Sequence, residues 1–425
     1  MNSKKSDIHP FQINSISWIL IGVFIRLLVI PFTFHGDMIW INTIPHLLSH
    51  GEWDVYKTAK DVLNQNYYPP MALIFFGLVQ LFLRTISTDY EQFTHNLIVF
   101  NIEDILAFHS LFKILFLLKL PYLIFDGLSL ALAAKLLQNS IQKSSFILFW
   151  VLNPVLIYGT YMVGQFDLIP SSLVFLAFYC CSKRGLETYA PLALATGCLF
   201  KIFPIVFLPM VTLIIGNNFK SCIRYLFIGV FPVVAFYMFF YLTSGPSVLK
   251  LFSDMSYNTD ITFDFKTLLL RSLQALTYAL VCWHIFQNNK AHVDLNTLSQ
   301  YFLIIYFAVF WGLYIQWTHY LIWLMPFLIF YAIESNPRKY LYYALLVIIF
   351  LAGLHTRSLC FGIFAPLNPD FFSSLPSLRD ITGYIFNQKI YDIVIDLLFK
   401  GITGTIVFFL LIELFSDRTQ KRPTK

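Results

Sequence analysis

The chain has 425 residues, of which 58% are hydrophobic and only 12% charged, with a mean hydropathy of +0.68. A soluble globular chain carries about twice that charged fraction, so composition excludes an ordinary water-soluble domain. The net charge of +6 is no nucleic-acid footprint, because the Lys and Arg lie in short loops and near both ends, where they set membrane orientation.

Apolar runs of about 15 to 22 residues recur along the whole length, which predicts an all-α, polytopic transmembrane helical bundle of about 12 to 14 helices. Lys4 and Lys5 place the N-terminus in the cytoplasm. The first run, near Ile16 to Phe34, leads out; it lacks a small-residue cleavage site and is followed by further spans, unlike a signal peptide. Arg26 lies inside it, either snorkelling or facing a bundle interior. The segment from His35 to about Tyr68 is expected outside. Its amphipathic turns, Ile39–Leu48 and Val55–Leu63, read as short interfacial helices.

Asp37 stands out in this segment. A carboxylate at the mouth of a membrane helix keeps its charge only if it faces water or a polar cavity, so it is a functional candidate. Tyr68, Pro69 and Pro70 open the next run, Pro70 to about Ile86, which is expected to return inward; proline also suits a first helical turn for purely structural reasons. Ile102–Leu137 is too long for one span and carries Lys113, Lys119, Pro121 and Asp126. It reads as two helices with a break near Lys119–Pro121. Asp126 is expected to pair with Lys119 or with Arg26.

The later chain alternates. Phe146–Tyr161 leads out to Gln165 and Asp167, which either serve a site or cap the loop, and Leu168–Cys181 returns. Tyr189–Phe200 and Ile202–Ile215 form a hairpin with Lys201 near its outer tip. An unpaired ammonium there costs several kcal/mol. Tyr225–Leu242 leads to an outer loop, Thr243 to about Lys266, and Thr267–Phe286 returns. Leu298–Ile315 and Leu321–Ile333 flank a turn that holds His319. Tyr340–Leu354 leads to a second long outer loop, His355 to about Asp392, which carries Arg357 and Arg379. The last run ends at Phe415 and places the C-terminus in the cytoplasm. No repeat or soluble domain interrupts residues 1–425, which read as one membrane domain. The six cysteines lie in or beside apolar runs, apart from Cys360 in a loop, and show no disulfide or zinc spacing.

This topology gathers Asp37, Tyr68, Gln165, Asp167, Lys201, His319, Arg357 and Arg379 at the outer ends of helices. A carboxylate that accepts a proton and cations that stabilise a departing phosphate are what glycosyl transfer from a lipid-phosphate sugar needs.

Six pieces, in order, carry a resemblance. They are Gly36-Asp37 after the first span, Tyr68-Pro69-Pro70 opening the second, and Lys119-Leu120-Pro121 with Asp126. Then follow Trp150-Val151-Leu152-Asn153-Pro154, Gly164-Gln165-Phe166-Asp167 and Lys201-Ile202-Phe203-Pro204. Together they resemble the GT-C superfamily of polyprenyl-phosphate-sugar-dependent glycosyltransferases. The likeness is strongest to integral-membrane mannosyltransferases such as the GPI mannosyltransferase catalytic subunit and bacterial polyprenol-phosphate-mannose enzymes. The resemblance runs to about Pro209, so residues 1–215 form the similar module and 216–425 the variable C-terminal helices. The second half matches in hydropathy and in His319-Tyr320 before Leu324-Met325-Pro326.

The resemblance implies Asp37 as the base and an outer first loop that cradles the acceptor, a glycan, glycolipid or lipid-linked molecule. The donor it implies is a polyprenyl-phosphate hexose, with mannose as the sugar and inversion at the anomeric carbon. It implies Lys201 on the phosphate side; on the reading adopted here Lys201, Arg357 or Arg379 holds the donor phosphate, and Gln165, Asp167 and His319 shape the sugar site. Tyr68, Pro69, Pro70, Lys119 and Asp126 complete the donor and acceptor set. The family's Asp-x-Asp pair is absent, since Met38 and Ile39 follow Asp37 and Glu52 and Asp54 come only later. No cofactor or metal ligand set is therefore required by the sequence, and a divalent metal is left open.

Two rivals stand beside this reading. A transporter or flippase for a lipid-linked saccharide usually shows paired halves around a midplane site, and no repeat is visible here. A non-catalytic subunit of the same fold has no need of Asp37 and Lys201. The absence of an Asn-x-Ser/Thr sequon favours a bacterial or archaeal cell membrane over the endoplasmic reticulum.

Overall fold

The computed structural model describes residues 15–59, 68–99, 101–249, 265–288, 293–310, 318–355, 361–376, 378–385 and 387–420. They are helical throughout, and no strand occurs among the described residues. Four helices are long and apolar enough to cross a membrane: Leu111–Leu136, Ser140–Met162, Phe219–Leu249 and Lys389–Ser416. Six shorter apolar helices pack around them, including Ser15–Val29, Pro70–Ile86, Leu168–Cys181 and His319–Ile333.

Local chemistry sets the breaks. Asn218 caps the Phe219–Ser244 helix in a reciprocal box with Ser221. Asn153 accepts from the Val155 and Leu156 amides and starts a new turn at Pro154, where a missing N–H does no harm. The helical ladder stops at Lys119 and resumes at Tyr122 around Pro121, at the expected break.

Packing revises the direction of two segments. The Ser15–Val29 helix runs beside Ser140–Val151, and a Cβ on Gly22 would lie 2.5 Å from the Val151 Cβ. Only glycine permits this approach, a common device where membrane helices cross. It lets Arg26 reach the Trp150 and Val151 carbonyls. The chain then turns at residues 30–36. Pro70–Ile86, expected to return across the bundle, stays at this end. At its start the Met71 amide donates to the Leu199 carbonyl at 3.0 Å, and Phe76 packs on Phe166 and Tyr122. Toward its other end Leu83 is buried with Phe34, Met38 and Ile39, just beyond the first helix.

The Leu111–Lys119 piece also stays here: the Phe112 ring contacts Phe32, and Lys119 reaches Ile30 and Thr33. Beyond the break at Pro121 the second part of Leu111–Leu136, Tyr122–Leu136, runs beside Arg26 and Trp150, which Asp126 joins. Hydropathy could not separate these cases, because a 17-residue apolar helix spans about 25 Å and suits either a membrane or a buried cap.

The described residues between 35 and about 110 thus form a helical cap at one end of the bundle. Asp37–Ser49 packs along Pro70–Ile86, with the Gln80 amide donating to the Asn42 carbonyl at 2.8 Å. The long Phe219–Ser244 helix ends against the cap, where Ser244 donates to the Trp53 carbonyl and Phe240 meets Tyr56. The last long loop is partly helical, with Pro369–Ser374 and Leu378–Ile385, and the final helix begins at Gln388. This loop joins the same end, because the Phe34 amide donates to the Ile363 carbonyl at 2.9 Å.

The core is aromatic. Phe146, Phe175, Phe178, Phe302, Phe327 and Phe330 interlock, with Phe302 and Phe327 stacked 4.6 Å apart. Part of the chain's complement of 46 phenylalanines therefore fills the protein interior.

Candidate active site

The candidate site centres on Asp37, the first residue of the Asp37–Ser49 helix. Its position at a helix N-terminus favours the ionised carboxylate. Gln165 Nε2 donates to Asp37 Oδ2 at 2.6 Å, and His35 Nδ1 lies 3.5 Å from the same oxygen. The Asp37 amide donates to His35 Nδ1 at 3.2 Å. Burial opposes ionisation, but His35, the Gln165 amide and the charge of His319 outweigh it and lower the carboxyl to about 2. The side chain remains 18% exposed, so it is open to a solute.

Residues 164–167 connect Asp37 to a second carboxylate. Gly164 has φ +85°, and a Cβ there would lie 2.1 Å from Met38 Sδ. Both constraints require glycine. Tyr122 Oη donates to the Gly164 carbonyl at 2.7 Å, and the Gln165 amide donates to the Gly159 carbonyl. The loop therefore presents Gln165 to Asp37, and Gln165 Oε1 is buried with no hydrogen-bond partner among the described residues.

Two residues further on, Asp167 is fully buried. Lys201 Nζ donates to both of its oxygens at 2.8 Å, and Trp323 Nε1 donates to Oδ1 at 2.5 Å. The ammonium also lies over the rings of Phe166 and Tyr320. Phe203 stacks on Trp323 at 3.9 Å and fixes the indole. Tyr68 packs its ring edge-on to Phe166, while Pro69 and Pro70 start the helix behind it. His319 is buried, with Asp37, Asp167 and Lys201 all within electrostatic reach.

Residues predicted from distant parts of the chain, Asp37, Tyr68, Gln165, Asp167, Lys201 and His319, therefore meet in one cluster. Lys119 and Asp126 sit behind it with other partners. Lys119 is fully buried, and its ammonium donates to the carbonyls of Ile30, Thr33 and Met162 and to Thr33 Oγ1. It pins the turn before Asp37 to the loop that carries Gln165. Asp126 pairs with Arg26 rather than with Lys119, and accepts from Trp150 and Tyr161. Arg357 lies outside the described residues. Arg379 belongs to the Leu378–Ile385 helix, and its side chain lies outside them too.

Three contributors escaped the sequence reading. His35 is two residues from Asp37 and reads as a loop polar residue. Trp323 lies in an apolar run and looks like an interfacial aromatic. Tyr122 follows Pro121 with nothing to mark its hydroxyl as a support for a loop some forty residues on.

Histidines apart, the described cluster sets the two carboxylates of Asp37 and Asp167 against the single ammonium of Lys201. Lys201 is committed to Asp167, so a phosphate here needs further cationic groups. The chain matches no family model, no curated protein and no solved structure.

Proposed function

We propose that the chain is an inverting glycosyltransferase that moves a hexose from a polyprenyl phosphate to an acceptor hydroxyl at Asp37, on the extracytoplasmic face of a membrane. The observation that carries this reading is an ionised, partly exposed Asp37 bonded to Gln165, whose buried Oε1 has no donor among the described residues. A sugar or acceptor hydroxyl supplies such a donor.

In the reaction the acceptor oxygen attacks the anomeric carbon and forms the new C–O bond. The bond to the phosphate oxygen breaks, and the polyprenyl phosphate leaves with the electron pair. The acceptor proton passes to Asp37. A carboxyl held at about 2 is a weak base. Proton transfer therefore comes late, once bond formation has acidified the acceptor oxygen. Lys201 holds Asp167 and the 164–167 loop in place. Arg357 or Arg379, from the last long loop, is the sequence-based candidate for the donor phosphate. Mannose is the sugar favoured by the sequence resemblance, and a bacterial or archaeal cell membrane the expected setting, with both termini cytoplasmic.

The test is a panel of polyprenyl-phosphate hexoses presented to the purified chain with simple glycoside acceptors, the product anomer being read by NMR. Transfer with inverted configuration is expected. Movement of intact lipid-linked saccharide across vesicles without transfer would instead identify a flippase, and transfer with retention would remove the single-displacement mechanism.

A further inference from the structure

We propose that His46, His50 and Glu91 form a binding site for one divalent transition-metal ion, with Zn2+ as the reference ion. This site is separate from the Asp37 cluster and independent of the function proposed above. His46 and His50 occupy positions i and i+4 near the C-terminal end of the Asp37–Ser49 helix, so both rings project from one face. Glu91 comes from the first turn of the neighbouring Tyr90–Ile98 helix.

The donor atoms of the three residues all lie within 4.8 Å of one another. His50 Nε2 is 3.3 Å and His46 Nε2 3.9 Å from Glu91 Oε2. Four ligands at tetrahedral zinc distances lie about 3.4 Å apart, so small side-chain rotations complete the geometry. Two imidazoles and one carboxylate are a zinc ligand set that keeps a fourth position for water.

Two details favour ligation. His50 Nδ1 lies 2.9 Å from the His46 carbonyl, which directs Nε2 toward Glu91. His46 is nine-tenths buried, which holds its ring with Nε2 toward Glu91. His50 and Glu91 are about half exposed, so an ion can enter.

The cation's place is shared with a side chain. The Arg84 guanidinium contacts Glu91 and His50 and donates to the Ser49 carbonyl at 3.0 Å. Arg84 neutralises Glu91 when no metal is bound and turns out when the ion enters. The bound ion clamps the helix that begins at Asp37 to the rest of the cap.

The experiment uses tag-free full-length chain in detergent, titrated with Co2+ and then Zn2+. Ligand-field absorption reports Co2+ coordination, and thermal unfolding reports stabilisation. One equivalent of Co2+ with tetrahedral bands, displaced by Zn2+, is expected. His50→Ala and Glu91→Gln should each weaken binding at least about tenfold. Arg84→Ala should tighten it, by removing the competing cation. His109→Ala, in an exposed pair with Asp89 on the same cap, should leave it unchanged. Absence of one-equivalent binding, or binding indifferent to both His50→Ala and Glu91→Gln, overturns the proposal. If a ligand variant fails to fold, weaker binding by Arg84→Ala overturns it alone.

Discussion

Substituting Gly164 by alanine tests how the cap and the bundle are joined at the candidate site. Two costs are separable. A non-glycine residue in the left-handed region, at φ +85°, costs about 1–2 kcal/mol. The new methyl would lie 2.1 Å from Met38 Sδ and 3.0 Å from its Cγ. Met38 is 2% exposed and cannot swing into solvent, so overpacking adds about 1–3 kcal/mol. Gly164→Ala should therefore destabilise by about 2–5 kcal/mol, read as a lower thermal unfolding midpoint of the full chain in detergent. Met38→Ala relieves the second cost and leaves the first. The double variant should be less unstable than the sum of the two singles, with the difference close to the overpacking energy. Because Gln165 is the next residue, transfer should fall even at temperatures where Gly164→Ala remains folded. A Gly164→Ala protein within about 0.5 kcal/mol of the parent, as at an ordinary surface position, would refute the packing argument.

Three further outcomes follow from the cluster. The Asp37 carboxyl is depressed to about 2 on folding from about 3.9 in an unfolded chain. Its contribution to stability is thus complete above about pH 4 and lost as pH falls through 2. The stability gap between the parent and Asp37→Asn should close as pH falls from about 4 through 2; a gap unchanged across that range would contradict the assignment. Lys201→Met strands the fully buried Asp167 and should cost about 3–5 kcal/mol. Adding Asp167→Asn should recover most of that loss, which thermal unfolding can measure; a double variant no better than the single would mean that Lys201 acts elsewhere. Lys119→Met removes the donor to three carbonyls and should cost about 1–3 kcal/mol, and an unchanged midpoint would show that these oxygens find other donors.

The polar residues were easier to read than the path of the backbone. Asp37, Gln165, Asp167 and Lys201 are legible because polar and ionisable groups are costly at helix ends in a membrane, so their presence in apolar surroundings is itself a signal. Pro70–Ile86 misleads because a cap helix buried beneath other helices is as apolar as a lipid-facing one. The partner of Asp126 was open between Lys119 and Arg26; the close helix approach at Gly22, which sequence spacing does not reveal, brings Arg26 to it. His35 and Trp323 contribute through contacts made by tertiary packing, and no pattern near either residue announces it. The His46 and His50 pair did carry a local signal, since i and i+4 share a helix face, but Glu91 enters only through packing.

The most direct measurement is single-turnover transfer in sealed vesicles, with lipid-linked hexose donor in the membrane and acceptor in the outer or inner compartment. The parent chain should form product only with acceptor on the side that Asp37 faces, and Asp37→Ala, though folded, should form none. Transfer by Asp37→Ala at the parent rate, or no transfer by the parent from any donor in the panel, would contradict the account.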